Sequence, residues 1–291
     1  MSPEEPEMIW RCRDRVFDLS TRTLVMGVVN VTPDSFSDGG RFFAPGAAIA
    51  HARQLQAEGA DLLDLGAEST RPGAAPVTTA EQIRRLASVI EALAADPRAC
   101  LAVDTTNAEV ADRALELGAR VVNDVTALAD PGMAAIVARR GAGLVLMHLA
   151  GTPATMQQDP HYEDVAHEVR EHLAARLESA RTAGVPAERI VLDPGIGFGK
   201  TVQHNFELLA RLEELKSLGR PLLIGVSRKS FLGKALDLPV DQRLEGGLAA
   251  AAVAVFLGAR IVRTHDVAAT VRAVRIADAL RGARRHEARR P

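Results

Sequence analysis

Polar residues with useful chemistry stand at the ends of short apolar runs along this 291-residue chain. In chain order they are Asn30, Asp64, Asp104, Asn123, Asp124, His148, Asp193, Lys229, Arg263 and His265. A single polar residue in such a place means little, because any strand that leaves a core becomes polar. Acids, amides and cations at every such place indicate a ligand, because buried charges are costly unless something pairs with them.

One group of these residues suits the edge of a flat nitrogen heterocycle: Asp104, Asn123, Asp193 and Lys229. A carboxylate such as Asp193 can accept two adjacent N–H groups of a 2-amino-pyrimidinone ring, while Lys229 can donate to the ring carbonyl. A second group consists of donors suited to a phosphate or diphosphate: Asn30, Thr70, Arg71, Arg263 and His265. We therefore expect one site that holds a heterocycle at one end and an anion at the other.

Three patterns resemble other kinds of site. GIGFGKT (195–201) resembles a P-loop, but Pro194 stands where the GxxxxGK[ST] pattern requires Gly. HEVREH is one residue too long for HExxH, so we expect His167 and His172 to face solvent from a helix. Lys229 could form a Schiff base, as in barrel aldolases, although its polar surroundings favour a simple hydrogen-bond donor.

The elements that must position these residues follow a repeated plan. EGADLLDLG, LGARVVND, RGAGLVLMH and LGARIVRTH each combine a Gly-Ala turn, a short apolar run and a polar end. Gly suits the left-handed cap of a preceding helix, and the run suits a buried parallel strand. With LVMGVV, CLAV, RIVL and PLLIGV, the chain has eight strand–helix alternations, which predict a (β/α)8 TIM barrel. A doubly wound open sheet is the alternative, but its glycine fingerprint is missing.

Composition limits the class of protein further. Hydrophobic residues make up 47% of the chain and the formal net charge is −2, so we expect neither nucleic acid nor a membrane as partner. Two cysteines without CxxC spacing and the lack of an apolar leader favour a cytoplasmic setting. We expect one domain: an N-terminal extension (1–20) that covers the bottom of the barrel, the barrel itself (21–282) and a basic C-terminal tail (283–291).

Eight motifs, in order, resemble those of the dihydropteroate synthase family. They are MGVVNVTPDSFSDGG, DLGAESTRPGA, VDTTN, VVNDV, MHLAGTPATMQ, LDPGIGFGKT, GVSRKSFLG and VRTHDV, and they cover residues 24–266. The resemblance implies a (β/α)8 barrel of folate biosynthesis. Such an enzyme joins 6-hydroxymethyl-7,8-dihydropterin diphosphate to 4-aminobenzoate and releases pyrophosphate. The resemblance also implies Mg²⁺ as cofactor and a homodimer formed through the Ala-rich late helices.

The resemblance also implies a role for each site residue. The pterin would be held by Asp104, Asn123, Met147, Asp193, Phe198, Gly225, Lys229 and Arg263. The diphosphate would contact Asn30, Thr70, Arg71, Arg263 and His265, with Asn30 also coordinating Mg²⁺. The 4-aminobenzoate would be bordered by Phe36, Thr70, Pro72 and Ser230, with Phe36 on a mobile loop. The catalytic residues would be Asp104, Lys229, Arg71 and His265.

The chain departs from the family pattern at three of its residues. Ala67, Ala150 and Gly247 replace residues that are usual in the family, but none of them removes a proposed catalytic group.

Two other functions are possible for such a barrel. Pterin-binding methyltransferases share the barrel, but they need no diphosphate clamp such as Arg71 and Arg263. A non-catalytic pterin-binding paralogue would be expected to lose loop residues that this chain keeps.

Overall fold

The fold is seen in a computed structural model that describes residues 8–32, 45–68, 76–152 and 155–288. The strands are β1 (Ile9–Cys12), β2 (Arg15–Asp18), β3 (Leu24–Asn30), β4 (Leu62–Gly66), β5 (Leu101–Asp104), β6 (Val121–Asp124), β7 (Gly143–Met147), β8 (Ile190–Asp193), β9 (Leu223–Gly225) and β10 (Ile261–Thr264). The α-helices are α1 (Pro45–Ala57), α2 (Thr79–Ala94), α3 (Ala108–Leu117), α4 (Met133–Arg140), α5 (Val165–Thr182), α6 (Val202–Ala210), α7 (Ser230–Leu236), α8 (Leu244–Leu257) and α9 (Val267–Ala288).

Strands β3 to β10 form one parallel sheet that curls into a barrel. β3 to β8 pair in chain order, and β10 pairs with both β3 and β9. Between β8 and β9 the barrel is closed by a parallel bridge of Leu192 with Leu222 and by a 2.9 Å hydrogen bond from Leu192 N to the Pro221 carbonyl. The predicted (β/α)8 barrel is confirmed.

The Gly-Ala turns end helices, as the sequence predicts. Gly59, Gly118, Gly141 and Gly258 have φ angles of 105°, 122°, 64° and 125°. These angles fall in the region where a side chain would be strained, so Gly lets each helix stop and the chain turn into the next strand. Turn chemistry therefore sets the spacing of the barrel units.

A short hairpin, β1 with β2, packs against the amino-terminal ends of the barrel strands. Trp10 is fully buried, and its Nε1 donates a 3.0 Å hydrogen bond to the Arg189 carbonyl, directly before β8. Trp10 and Cys12 share an apolar cluster with inward-facing strand residues such as Leu62. The hairpin thus covers the bottom of the barrel. Cys12 is a free thiol, as is the buried Cys100.

The two ends of the chain bear on the predicted domain boundaries. The hairpin lies within the predicted extension, 1–20. At the other end α9 runs to Ala288, so residues 283–288, which the sequence assigns to the tail, continue that helix. The boundaries of the barrel at residues 21 and 282 stay a prediction. Within the described residues, no helix is long and apolar enough to cross a membrane.

The inward-facing side chains of the barrel stack in layers, each built from alternate strands. Along the strand registers, the two lower layers are apolar: Leu62, Val121, Val191 and Ile261, then Met26, Ala102, Val145 and Leu223. The third layer is Asp64, Asn123, Asp193 and Arg263, and the fourth is Val28, Asp104, Met147 and Gly225. The interior therefore changes from apolar to polar towards the carboxyl ends of the strands.

Candidate active site

A cleft with about 380 Å³ of empty space, part of it open to solvent, lies above the polar third layer. It is lined by Asp104, Asn123, Val125, Met147, Asp193, Ile196, Phe198, Gly225, Lys229 and Arg263. All the residues that the sequence assigns to a pterin lie around this one cleft. Gly225 has no side chain to fill the fourth layer, so the cleft reaches down to the polar layer beneath. The roles of the lining residues stay a prediction.

Arg263, which lines the cleft, is bonded to two carboxylates. Its Nε donates to Asp64 Oδ2 at 2.6 Å, and its Nη2 donates to Asp104 Oδ2 at 2.8 Å. Burial opposes the charge on the guanidinium, but Asp64 and Asp104 outweigh burial and raise the pKa of Arg263. Arg263 is therefore a permanent cation. The bonds to Asp64 and Asp104 fix the plane of its guanidinium group.

The other ionisable groups of the cleft, Asp104, Asp193 and Lys229, have pKa values shifted towards neutrality. Burial raises the pKa of Asp104 to about 7; Arg263 and Lys229 oppose the shift, while Asp64 and Asp124 add to it. Burial likewise raises the pKa of Asp193 to about 6 and lowers that of Lys229 to about 7.

These shifts mean that the free cleft holds exchangeable protons near neutral pH. A ligand that presents N–H donors or a carbonyl can therefore change the protonation of the site when it binds. Perturbed pKa values of this kind cluster at functional sites.

The loop after β8 (194–200) forms one wall of the cleft. Asp193 Oδ1 accepts a 2.7 Å hydrogen bond from the Gly195 backbone N–H, which fixes the carboxylate at the start of the loop. Gly195 has φ 68°, and a Cβ there would collide with the His148 carbonyl oxygen, so the turn requires Gly. Gly199 has φ 60°, and a Cβ there would lie only 2.8 Å from the Cβ of Ala150, a small residue where the chain departs from the family pattern.

Lys200 ties this loop to the end of β7, a function that the sequence did not reveal. Its Nζ lies 2.9 Å from His148 Nδ1 and donates to the carbonyls of Gly195 and Phe198, both at 3.0 Å. Lys200 and His148 are 3% and 5% exposed. Burial lowers the pKa of Lys200 to about 7 and that of His148 to about 2. Lys200 thus fixes the loop that carries Phe198 and forms this wall of the cleft.

The prediction that His172 faces solvent is wrong. Its ring lies edge-on to that of His148, with 4.8 Å between centroids, and burial lowers its pKa. The cause is that α5 packs on β7, which turns this side chain towards the strand end. His167, on the same helix, is exposed as predicted.

Residues assigned to the anion end lie at the carboxyl ends of β3 and β10. Asn30 is exposed at the last position of β3, and His265 directly follows β10. His265 Nδ1 lies 3.1 Å from Ser227 Oγ, which also accepts the His265 backbone N–H at 3.2 Å. Burial lowers the pKa of His265 to about 4, and the positive charge of Arg263 adds to this effect. His265 is therefore neutral at pH 7 and can donate from only one ring nitrogen.

Four predicted site residues lie outside the described residues: Phe36, Thr70, Arg71 and Pro72. Ser230 is described and exposed: it begins α7, next to Lys229. In the described parts of the chain, no group of three or more His, Cys, Asp or Glu side chains could hold a metal ion.

The chain is similar to known proteins over nearly its full length. Residues 26–265 match the pterin binding enzyme family. The dihydropteroate synthase of Escherichia coli is 43% identical over 263 residues, which are 90% of this chain and 93% of that protein. This chain belongs to the dihydropteroate synthase family. It is thus a transferase that joins 6-hydroxymethyl-7,8-dihydropterin diphosphate to 4-aminobenzoate to give 7,8-dihydropteroate and pyrophosphate, as the sequence motifs predict.

Solved structures of dihydropteroate synthases have the same fold. The Xanthomonas albilineans enzyme with 4-aminobenzoic acid is 45% identical, with a TM-score of 0.88 over 94% of this chain and 98% of that chain. The Yersinia pestis enzyme in a sulfonamide drug complex is 43% identical, with a TM-score of 0.89 over 94% of this chain and 100% of that chain.

Proposed function

We propose that the cleft is where this dihydropteroate synthase binds its pterin substrate and carries out the condensation. The proposal rests on one observation: polar side chains of the third and fourth barrel layers converge on a single cleft. Asp193 would accept the 2-amino and ring N–H groups of the pterin, and Lys229 would donate to its carbonyl. Asn123 would offer its side-chain oxygen to a further ring N–H. Met147, Phe198 and Gly225 would form the apolar faces, and Arg263 would stack on the ring.

The diphosphate would lie above the ring, between the ends of β3 and β10. Arg263, His265 and Asn30 supply donors there, and Thr70 and Arg71 are proposed from the family motif. The contact with Ser227 suggests how neutral His265 takes part: if the Ser227 hydroxyl donates to Nδ1, the proton of His265 lies on Nε2 and can be donated to a phosphate oxygen.

Mg²⁺ is proposed at the same end. Mg²⁺ keeps several waters and takes one or two protein ligands together with substrate phosphates, so the side-chain oxygen of Asn30 fits such a site. When bound, Mg²⁺ supplies positive charge to the diphosphate.

The 4-aminobenzoate would bind beside the diphosphate, bordered by Ser230, Phe36, Thr70 and Pro72. Support comes from the related Xanthomonas albilineans enzyme, whose structure contains 4-aminobenzoic acid, and from the sulfonamide complex of the Yersinia pestis enzyme. Sulfonamides resemble the arylamine in shape, so we expect them to compete with it here.

In this reaction the main task of the protein is to stabilise the charges that develop. The bond between the pterin methylene carbon and the diphosphate oxygen breaks, and the arylamine nitrogen forms a new bond to that carbon and loses a proton. Arg71, Arg263 and His265 would stabilise the departing anion, and ionised Asp104 would stabilise the electron-poor ring left behind. Lys229 would hold that ring in place through its carbonyl. We expect ordered binding, with the arylamine pocket complete only after the diphosphate binds.

The experiment that tests this function measures pyrophosphate release from the pterin diphosphate with and without 4-aminobenzoate, in the presence of Mg²⁺. We expect release that depends on 4-aminobenzoate and matches the dihydropteroate formed. Methyl transfer from methyl-tetrahydrofolate, or pterin binding without turnover, would favour the two alternative functions. Tighter binding of 4-aminobenzoate with Mg²⁺ and pyrophosphate than without them would support the ordered scheme.

A homodimer is also proposed. Helices α8 and α9 share an exposed apolar face formed by Ala252, Val253, Phe256, Ile276 and Leu280, with Val253, Ile276 and Leu280 more than half exposed. A contiguous patch of this kind is typical of a protein interface. We retain a cytoplasmic location as a prediction from cysteine usage.

A further inference from the structure

Asp64 is the one member of the polar third layer that does not line the cleft. It lies in the middle of β4 and is completely buried. The other three members, Asn123, Asp193 and Arg263, all face the cleft. Asp64 therefore belongs to the floor of the site and not to its surface.

The contacts of Asp64 hold two cleft residues from below. Its Oδ2 accepts hydrogen bonds from Arg263 Nε at 2.6 Å and from Asn123 Nδ2 at 3.0 Å. A carboxylate only accepts, so Asn123 must turn its NH₂ group towards Asp64, which leaves its carbonyl oxygen for a ligand. The bond to Nε likewise fixes the rotation of the Arg263 guanidinium, whose Nη2 bonds to Asp104.

The packing of the barrel alone gives no reason for a carboxylate at this position. Layers of this kind are normally filled by branched apolar side chains. Asp64 Oδ1 is buried and has no hydrogen-bond partner among the described residues, an arrangement that costs stability. Asp64 lowers the stability of the fold, yet it bonds to two side chains that face the cleft. Its effect on the orientation of Arg263 and Asn123 therefore explains its presence best.

We propose that Asp64 is a positioning residue: it orients Arg263 and Asn123 for the pterin ring before the ligand arrives. The inference rests on the proposed function of the cleft as the pterin site. Preorganisation of this kind lowers the cost of ordering side chains when the ligand binds. Asp64 itself does not touch the ligand.

The test compares Asp64→Ala with Asp64→Asn, using calorimetry with 6-hydroxymethylpterin. Asp64→Ala removes the shared acceptor, so we expect affinity to fall about 10- to 100-fold. Asp64→Asn keeps a carbonyl that both donors can reach, so we expect it to recover about tenfold of that loss. The KM for the pterin diphosphate should rise in Asp64→Ala, while the KM for 4-aminobenzoate at saturating pterin diphosphate stays unchanged.

A matched control is Asp124→Asn, because Asp124 is an equally buried carboxylate at the end of β6, two strands along the sheet from β4. Its partners are the Thr126 hydroxyl and backbone and the Leu128 backbone N–H, away from the cleft. This variant should lose stability and keep its affinity for the pterin.

Three outcomes would overturn the inference. One is unchanged affinity in folded Asp64→Ala, and another is an equal loss of affinity in Asp124→Asn. The third is failure of the unaltered chain to bind the pterin, which would overturn the proposed function and this inference with it. The first two outcomes, with an active unaltered chain, would overturn only the role of Asp64.

Discussion

Lys229 lies over the face of Phe198, with its Nζ 3.8 Å from the centroid of the ring. The aromatic face attracts the ammonium group, while the carboxylates of Asp193 and Asp104 attract it from the cleft side. Burial and the charge of Arg263 nevertheless lower the pKa of Lys229 to about 7. The lysine is thus held in place but is neutral for part of the time at pH 7.

The lowered pKa makes Lys229 a chemically competent amine, so the Schiff-base alternative needs a direct test. We expect borohydride treatment with both substrates present to trap no adduct, because Lys229 serves as a hydrogen-bond donor to the ring carbonyl, which is of the amide type and does not condense with an amine. Mass spectrometry of the treated protein would check this. A mass increase on a peptide containing Lys229 would support covalent catalysis instead.

Binding of a pterin should depend on pH through Asp193. Burial raises its pKa to about 6 in the free protein, against the opposing effects of the Gly195 N–H, Lys229, Lys200 and Arg263. The ring N–H groups favour the ionised form, so the pKa falls on binding. Affinity should therefore rise as pH increases through about 6, and binding below that pH should release a proton.

Calorimetry in buffers of different ionisation enthalpy measures this proton release. Asp193→Asn is the control: it should bind about 10- to 100-fold more weakly at pH 8 and show no proton release of this origin. Equal proton release in the variant would assign the titration to another group.

The architecture was predictable because its signals are local. Gly59 and Gly258 mark helix ends through the φ angles that only glycine adopts freely, and short apolar runs mark buried strands. The gathering of Asp104 and Asp193 on one cleft follows from the barrel rule that places strand ends together. Each of these inferences needs only a few consecutive residues.

Lys200 should support both stability and binding. Lys200→Met would leave the carbonyls of Gly195 and Phe198 without this donor, so we expect a loss of roughly 2–4 kcal/mol in the free energy of unfolding. Pterin affinity should fall as well, because the loop that carries Phe198 is no longer fixed.

Urea unfolding and calorimetry measure the two effects. Exposed Lys234 is the control, because Lys234→Met should change neither quantity appreciably. A Lys200→Met variant as stable as the unaltered chain would contradict the assigned role.

Features that depend on packing between distant elements could not be predicted. The function of Asp64 depends on strand registers that bring β4, β6 and β10 into one layer, and no local pattern reports those registers. The environment of His172 depends on how α5 rotates against β7. Lys200 gave a P-loop-like signal, but its contact with His148 spans 52 residues of chain.

The apolar face on α8 and α9 should hold two chains together. Ile276→Asp places a charge on a side chain that is 66% exposed, so we expect it to leave the fold intact and shift the protein from dimer to monomer. Light scattering with size exclusion measures the mass in solution. Leu236→Asp, at a 51% exposed position on α7, is the control and should stay dimeric. A monomeric unaltered chain would contradict the proposal.

The cleft above the polar third layer is proposed as the pterin site. A crystal structure of the chain with 6-hydroxymethylpterin tests it most directly. The ring should lie in the cleft, with its 2-amino and ring N–H groups within hydrogen-bond distance of the Asp193 carboxylate and its face against Arg263. A pterin bound elsewhere while the cleft stays free of ligand would contradict the claim.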